Sequence, residues 1–202
     1  MTQTEQTLLL EIVHYPDPFL TRRCRAITAE EFKAGKVTLT AKEAAPGQAL
    51  EWTLTDLVDR MMATMYASQG IGLAAPQVGI GLRLFVMDIS KDHSGAQAIF
   101  NPILTDKRGT VVEEEGCLSL PDIRAKVKRF LRVHINGVNV RGEPFDAEAA
   151  ELPARVCQHE IDHLDGVLFI NKLGMTSKLM IRKQLIELEE DFELKNRKNP
   201  KL

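Results

Sequence analysis

The nine residues QHEIDHLDG, Gln158 to Gly166, constrain the local fold more than any other stretch of the chain. Two of the five histidines lie four residues apart here, with Glu160 directly after the first. On an α-helix, positions i and i+4 share a face one turn apart, so His159 and His163 can aim imidazole nitrogens at one metal ion. Glu160 falls on the adjoining flank, where a base can reach a water beside the ion without ligating it. A surface helix with two solvated histidines is the plainer alternative, and Asp162 and Asp165 suit either. Gly166 supplies the stop signal.

Two histidines do not complete a catalytic metal site, which ordinarily takes three protein ligands and leaves one position open. The spacing H-E-x-x-H-x-x-G continues through Gly166 as in the metzincin proteases, but Phe169 stands where their third histidine belongs. A downstream glutamate would be Glu187, Glu189 or Glu190, and these lie in a charged run whose usual meaning is a solvated face. Cys157 precedes His159 by two residues, roughly 200° around the helix, and reads as core. Cys117, in EEEGCLSLPDIR, taken alone reads as a buried structural cysteine. A thiolate with two imidazoles would, however, make an open tetrahedral site.

A chain of 202 residues with 44% hydrophobic residues can bury a full core, and one domain is expected. The net charge of -2 provides no global field for DNA or an acidic membrane surface, so any such contact would be local. The opening MTQTEQTLLLEIVHYPDP has an acid inside its short apolar run and no basic segment before it, unlike a secretory signal. No stretch is long enough to span a bilayer, so no membrane partner is expected. Three widely spaced cysteines, Cys24, Cys117 and Cys157, argue against a disulfide framework and for a reducing cytoplasm.

Leu57, Met61 and Met65 recur at helical spacing within Thr53 to Gln69, and Gly70 follows as a stop. Lys33 to Trp52 mixes a short alternating run with Ala, Pro and Gly, and reads as a surface insertion. RLFVMDIS, AIFNPIL and TVVEEEG read as strands, and FLRVHINGVNVRGEPFDA as two strands joined at Arg141-Gly142. Leu152 to Leu164 is helical, and Thr176 to Leu194 reads as a closing amphipathic helix. The class is α+β: antiparallel or mixed sheets packed around a central H-E-x-x-H helix, with one helix toward each end of the chain. Lys195 to Leu202 is expected to be a flexible, solvated tail.

Three segments occur in order: GIGLAAPQ (Gly70 to Gln77), EGCLS (Glu115 to Ser119) and QHEIDHLDG. Together they resemble the three signature motifs of the bacterial-type peptide deformylases, and the likeness runs from HYPDPFL (His14 to Leu20) to the last helix. The resemblance implies that Cys117, His159 and His163 bind the metal and that Glu160 is the general acid and base. It implies an oxyanion site made by the side-chain amide of Gln77 and the backbone N–H of Leu118. Gly70, Ile71, Gly72, Glu115 and Gly116 would border the substrate cleft, with Arg124 nearby as a partner for Glu115. It further implies an N-formylmethionyl peptide as substrate and formate as product.

The ligand set alone would suggest zinc first, whereas the resemblance implies Fe2+, with Zn2+, Ni2+ or Co2+ able to substitute in preparations. An apolar slot is needed for the methionine side chain, and Ile71, Leu152 and Val156 are candidate walls, each also a candidate for ordinary core. Glycines 70 and 72 would let an extended peptide approach closely. A monomer is expected, with a weak ribosome contact through the basic positions Lys178, Arg182 and Lys183 and the tail. Two departures from the family pattern stand outside the motifs: the long Lys33 to Trp52 segment, and Glu151 where a glycine is common before the catalytic helix.

Overall fold

The structure is a computed structural model that describes residues 9–198. Helix α1 (Ala29–Ala34) opens on a capping box in which Thr28 and Glu31 satisfy each other's backbone N–H groups. Strands β1 (Lys36–Thr38) and β2 (Glu51–Thr53) then pair as a small antiparallel sheet leading into α2 (Leu54–Ala67). Thr53 caps α2 by accepting a bond from the Asp56 N–H, and the helix buries Leu57, Met61 and Met65 as their spacing predicts. The stop comes slightly earlier than Gly70: Ser68 is the C-cap and Gln69 takes a left-handed φ of 56°.

The larger sheet runs in the order β3 (Gly72–Ala74), β4 (Leu84–Met87), β5 (Gln97–Arg108), β8 (Arg132–Val138), β9 (Pro144–Ala150). Strands β6 (Val111–Cys117) and β7 (Leu120–Arg129) form a separate ribbon. Every ladder in these sheets is antiparallel. The strands expected from alternation are present, but β7 was not anticipated. Its inward positions are Ile123, Ala125, Val127 and Arg129, so the alternating apolar set ends on an arginine.

Helix α3 (Glu151–Leu164) carries QHEIDHLDG as far as Leu164 and packs Val156, Cys157, Ile161 and Leu164 against Ala74, Phe85, Met87 and Ile99. Phe85, Ile99 and Leu164 are fully buried, each contributing roughly 1.5–3 kcal/mol of apolar transfer. Cys157 is a core residue here, with its sulfur 3.8 Å from that of Met87. Glu151 starts the helix with φ 55°, a conformation a glycine adopts without steric cost, so the departure at this position is a locally strained first residue. Gly166, at φ 73°, closes the turn against the Thr21 carbonyl, which a Cβ would meet at 2.4 Å.

Two expectations need correction. The Lys33 to Trp52 segment is not only a surface insertion: Val37, Leu39, Ala44 and Trp52 are buried in the same cluster as Leu57, Met61 and Ile80. Its polar residues face out, yet isolated apolar side chains reach inward. The closing helix α4 (Met175–Lys198) is longer than its periodicity suggests, and takes in Lys195 to Lys198, which were expected to be tail. Positions 199–202 lie outside the described residues. Within α4, Ile181 and Leu185 pack on the inner face of the ribbon, against a cluster that includes Ile123 and Val127. Among the described residues, no helix is long and apolar enough to cross a membrane.

Candidate active site

Helical spacing brings His159 and His163 together: their Nε2 atoms lie 3.3 Å apart on one face of α3. Across from them the ribbon ends at Cys117, whose Sγ is 3.2 Å from His163 Nε2. Ligand atoms of these three side chains fall within 4.8 Å of one another, and no other such group occurs among the described residues. The candidate glutamates on α4 are elsewhere; Glu189 accepts a hydrogen bond from the Tyr15 hydroxyl. Phe169 is buried and stacks on the His159 ring at 6.2 Å between centroids. It walls the ligand cluster instead of extending it.

A buried ionic chain stands behind the cluster. Glu115 meets His159 Nδ1 at 3.1 Å, which fixes the tautomer with a free lone pair on Nε2. Arg129 donates twice to Glu115, from Nε and Nη2, each at 2.9 Å, and a third time to Asp162, which also receives Lys172 Nζ at 3.1 Å. Burial works to raise the Glu115 pKa, but the bonds from His159 and Arg129 overcome it and hold the group at about 2. The pairing expected between Arg124 and Glu115 is therefore wrong. Arg124 sits on the outer face of β7 and, among the described residues, pairs with Glu114 alone, at 3.9 Å, because residues 123, 125, 127 and 129 take the inner face where Glu115 points.

Glu160 is 4% exposed, and among the described residues one carboxylate oxygen, Oε2, has no hydrogen-bond partner. Burial pushes its pKa up to about 7 against the opposing charges of His159 and Arg129. The other oxygen presses on the backbone: a Cβ on Gly72 would lie 2.4 Å from Glu160 Oε1. A Cβ on Gly70 would lie 2.9 Å from Leu118 Cδ1. Both glycines thus make room for the protein's own side chains, a tighter requirement than the peptide clearance expected of them.

Gln77 is carried by a 3-10 turn, Ala75–Val78, that follows β3 directly. Its Oε1 accepts from the Ala74 N–H at 2.8 Å, which orients Nε2 to donate toward Cys117 Sγ at 3.4 Å and Ser119 Oγ at 3.3 Å. A cleft of about 700 Å³ opens over this group. It is lined by Cys117, His159, Glu160, Gln77 and Leu118, and by each expected border residue: Gly70, Ile71, Gly72, Glu115, Gly116, Arg124, Leu152 and Val156. His163 lies beneath the lining. Ile12, His14, Glu114, Asp122 and Arg155 also line the cleft and were not anticipated from sequence.

The three donor atoms suit a divalent cation on the chemistry of their surroundings. Sγ and two Nε2 atoms crowd one point, with Gln77 Nε2 donating to the sulfur from the side, while among the described residues the Nδ1 of His163 and Oε2 of Glu160 are buried without a partner. A thiolate and two neutral imidazoles are a donor set for borderline transition metals.

A family model described as polypeptide deformylase matches residues 9–178. Among curated relatives, the peptide deformylase of Thermodesulfovibrio yellowstonii is 38% identical over 178 residues, covering 87% of this chain and 96% of its own length. That of Acidobacterium capsulatum is 39% identical over 190 residues, covering 92% and 99%. Among solved structures, a peptide deformylase from Plasmodium falciparum superposes with a TM-score of 0.78 at 32% identity, over 91% of this chain and 98% of that one. One from Legionella pneumophila gives 0.74 at 31% identity, over 90% and 96%.

Proposed function

The chain belongs to the polypeptide deformylase family, metal-dependent hydrolases that remove the N-formyl group from nascent peptides, and from that premise we propose which of its residues perform the reaction. Cys117, His159 and His163 hold the cation. The assignment of Fe2+ rests on the family resemblance, since the donor set by itself favours Zn2+, Ni2+ or Co2+ over it. Bound there, the cation supplies Lewis acidity toward the formyl carbonyl and acidifies water.

The observation that carries this reading is the partnerless Oε2 of Glu160, buried beside the three donors on the wall of the cleft. A carboxylate in that state gains from accepting a proton, so Glu160 takes the proton of the attacking water and returns it to the leaving amine nitrogen. Gln77 Nε2 and the backbone N–H of Leu118 donate to the oxygen that becomes negative in the tetrahedral transition state. Each such donor contributes on the order of 3 kcal/mol. Glu115 and Arg129 act through His159 by fixing its ring. Ile71, Leu152 and Val156 wall the slot for the methionine side chain, and Arg124 lies at the rim.

The enzyme works as a monomer in a reducing cytoplasm, where Cys24, Cys117 and Cys157 stay out of disulfides. A weak ribosome contact through the exposed Lys178, Arg182 and Lys183 accompanies processing of the nascent chain; unchanged co-sedimentation after their neutralisation would discard it. The central test is anaerobic assay of formate release from a formyl-methionyl peptide, with acetylated and unmodified peptides as controls and metal analysis on the same sample. Release confined to the formylated substrate, proportional to bound cation, is expected. Equal cleavage of the controls would overturn the assignment.

A further inference from the structure

The outer face of the β6–β7 ribbon continues the cleft wall away from Cys117. Along β7 the exposed positions are Asp122, Arg124, Lys126 and Lys128, with Phe130 exposed just past the strand's end, while Ile123, Val127 and Arg129 are buried on the other side. Facing them on β6, Gly116 lies opposite Arg124, Glu114 opposite Lys126, and Val112 opposite Lys128. Glu114, Asp122 and Arg124 line the cleft, as does Arg155, whose Nη1 donates to the Glu114 carbonyl at 3.3 Å across the gap from α3. The face therefore starts at the substrate site and runs outward from it.

Its charge is opposite to that of the chain. Arg124, Lys126, Lys128 and Arg155 stand against Glu114 and Asp122, whereas the whole protein carries -2. Glu114 is held loosely by Arg124, at 3.9 Å with both side chains mostly exposed. Among the described residues Lys126 and Lys128 have no ion-pair partner. Beyond them, Lys107 Nζ sits 5.9 Å over the ring of Phe130.

We propose that this face is an electropositive track that binds the downstream part of the peptide substrate and favours acidic side chains there. The proposal rests on the deformylase reading of the cleft. The geometry of a strand supplies the register: side chains on one face repeat about every 6.6–6.8 Å, in β7 and in an extended peptide alike. Arg124 lies four residues along β7 from Leu120, which pairs with Cys117, and Lys128 lies eight residues along. At roughly 3.3 Å per residue those are about 13 and 26 Å, the reach of the fourth and eighth residues of a peptide whose formyl group is at Cys117. Surface charges of this kind act on encounter and ground-state binding, weaken with salt, and leave the chemical step alone.

The test uses the cation-loaded enzyme and three formyl-methionyl decapeptides whose residues 4–8 are acidic, neutral or basic, with formyl-methionyl-alanine as a substrate too short to reach the track. At low salt, kcat/KM for the acidic peptide is expected to exceed that for the basic one several-fold, through KM, and the ratio to collapse toward one in high salt. In a Lys126→Glu/Lys128→Glu double variant the ratio is expected to fall below one; being internal to each protein, it does not depend on that variant's absolute rate. A wild-type ratio of one, or a ratio that survives in the variant, would overturn the proposal. Equal inhibition of all three decapeptides by single-stranded RNA, relieved in the variant, would assign the track to nucleic acid instead. Failure to turn over even the short formylated substrate would sink the deformylase reading, and the track with it.

Discussion

Gly72 and Glu160 are packed so closely that residue 72 can carry no side chain: a Cβ there would lie 2.4 Å from Glu160 Oε1 and 3.0 Å from its carboxyl carbon. The first glycines of the cleft therefore set the position of the proposed base. Gly72→Ala is expected to displace that carboxylate while leaving the three proposed metal donors on α3 and β6 in place. Turnover should fall at least tenfold at unchanged metal content, measured as formate release and metal stoichiometry on one preparation. Unaltered kcat in Gly72→Ala would show that the carboxylate's position is not limiting.

Removing the proton carrier and removing a ligand should separate cleanly. Glu160→Gln preserves shape and takes away the base, so it is expected to keep the cation and lose turnover by about 10²–10⁴-fold. Cys117→Ala takes one of three donors and should lose cation and activity together. Full metal occupancy in the cysteine variant would take Cys117 out of the ligand set.

Arg129, 2% exposed, bonds both Glu115 and Asp162. Arg129→Leu leaves two carboxylates poorly compensated inside the protein and is expected to cost about 3–5 kcal/mol, read by denaturant unfolding at pH 7. Its pH dependence has a definite sign. The folded pKa of Glu115, about 2, lies below its ordinary value of 4.5, so the native state gains from the ionised form above pH 4.5 and loses that gain as pH falls from 4.5 toward 2. The gap between wild type and Arg129→Leu should narrow across that window, with chelator present throughout so that cation loss does not contribute. A gap that stays constant down to pH 3 would remove Glu115 as the group responsible.

These cases mark what could be seen in the sequence. The face shared by His159 and His163 is a local property of helical spacing, and Cys117 could be attached to it through the motif it sits in. The body of α2 and the strands β4, β5, β6, β8 and β9 follow from local periodicity. Arg129 could not be found that way, because burial of a charge on an alternating strand depends on partners, Glu115 and Asp162, contributed by other elements. A parity count along β7 from the apolar Ile123 and Val127 would have placed Arg129 inside and Arg124 outside. Gly72 is likewise explained only by what α3 brings against it, some 88 residues later in the chain.

Trp52 gives the sharpest test of the segment whose composition misled. It is 7% exposed, its indole Nε1 donates to the Ala49 carbonyl at 2.9 Å, and Arg60 from α2 lies 5.5 Å over its ring. It shares a core cluster with Val37, Leu39, Leu57 and Met61, so the β1–β2 hairpin closes one end of the core that supports α2 and, beyond it, the Gly70–Gly72 wall. If the segment were a solvated insertion, Trp52→Ala would change stability by no more than about 0.5 kcal/mol. Emptying a buried indole site instead costs about 3–5 kcal/mol, and for a domain of this size lowers Tm by several degrees. Unfolding of the cation-loaded variant at neutral pH distinguishes the two values, and the larger is expected, with formate release intact below the new transition because no cleft side chain has been touched.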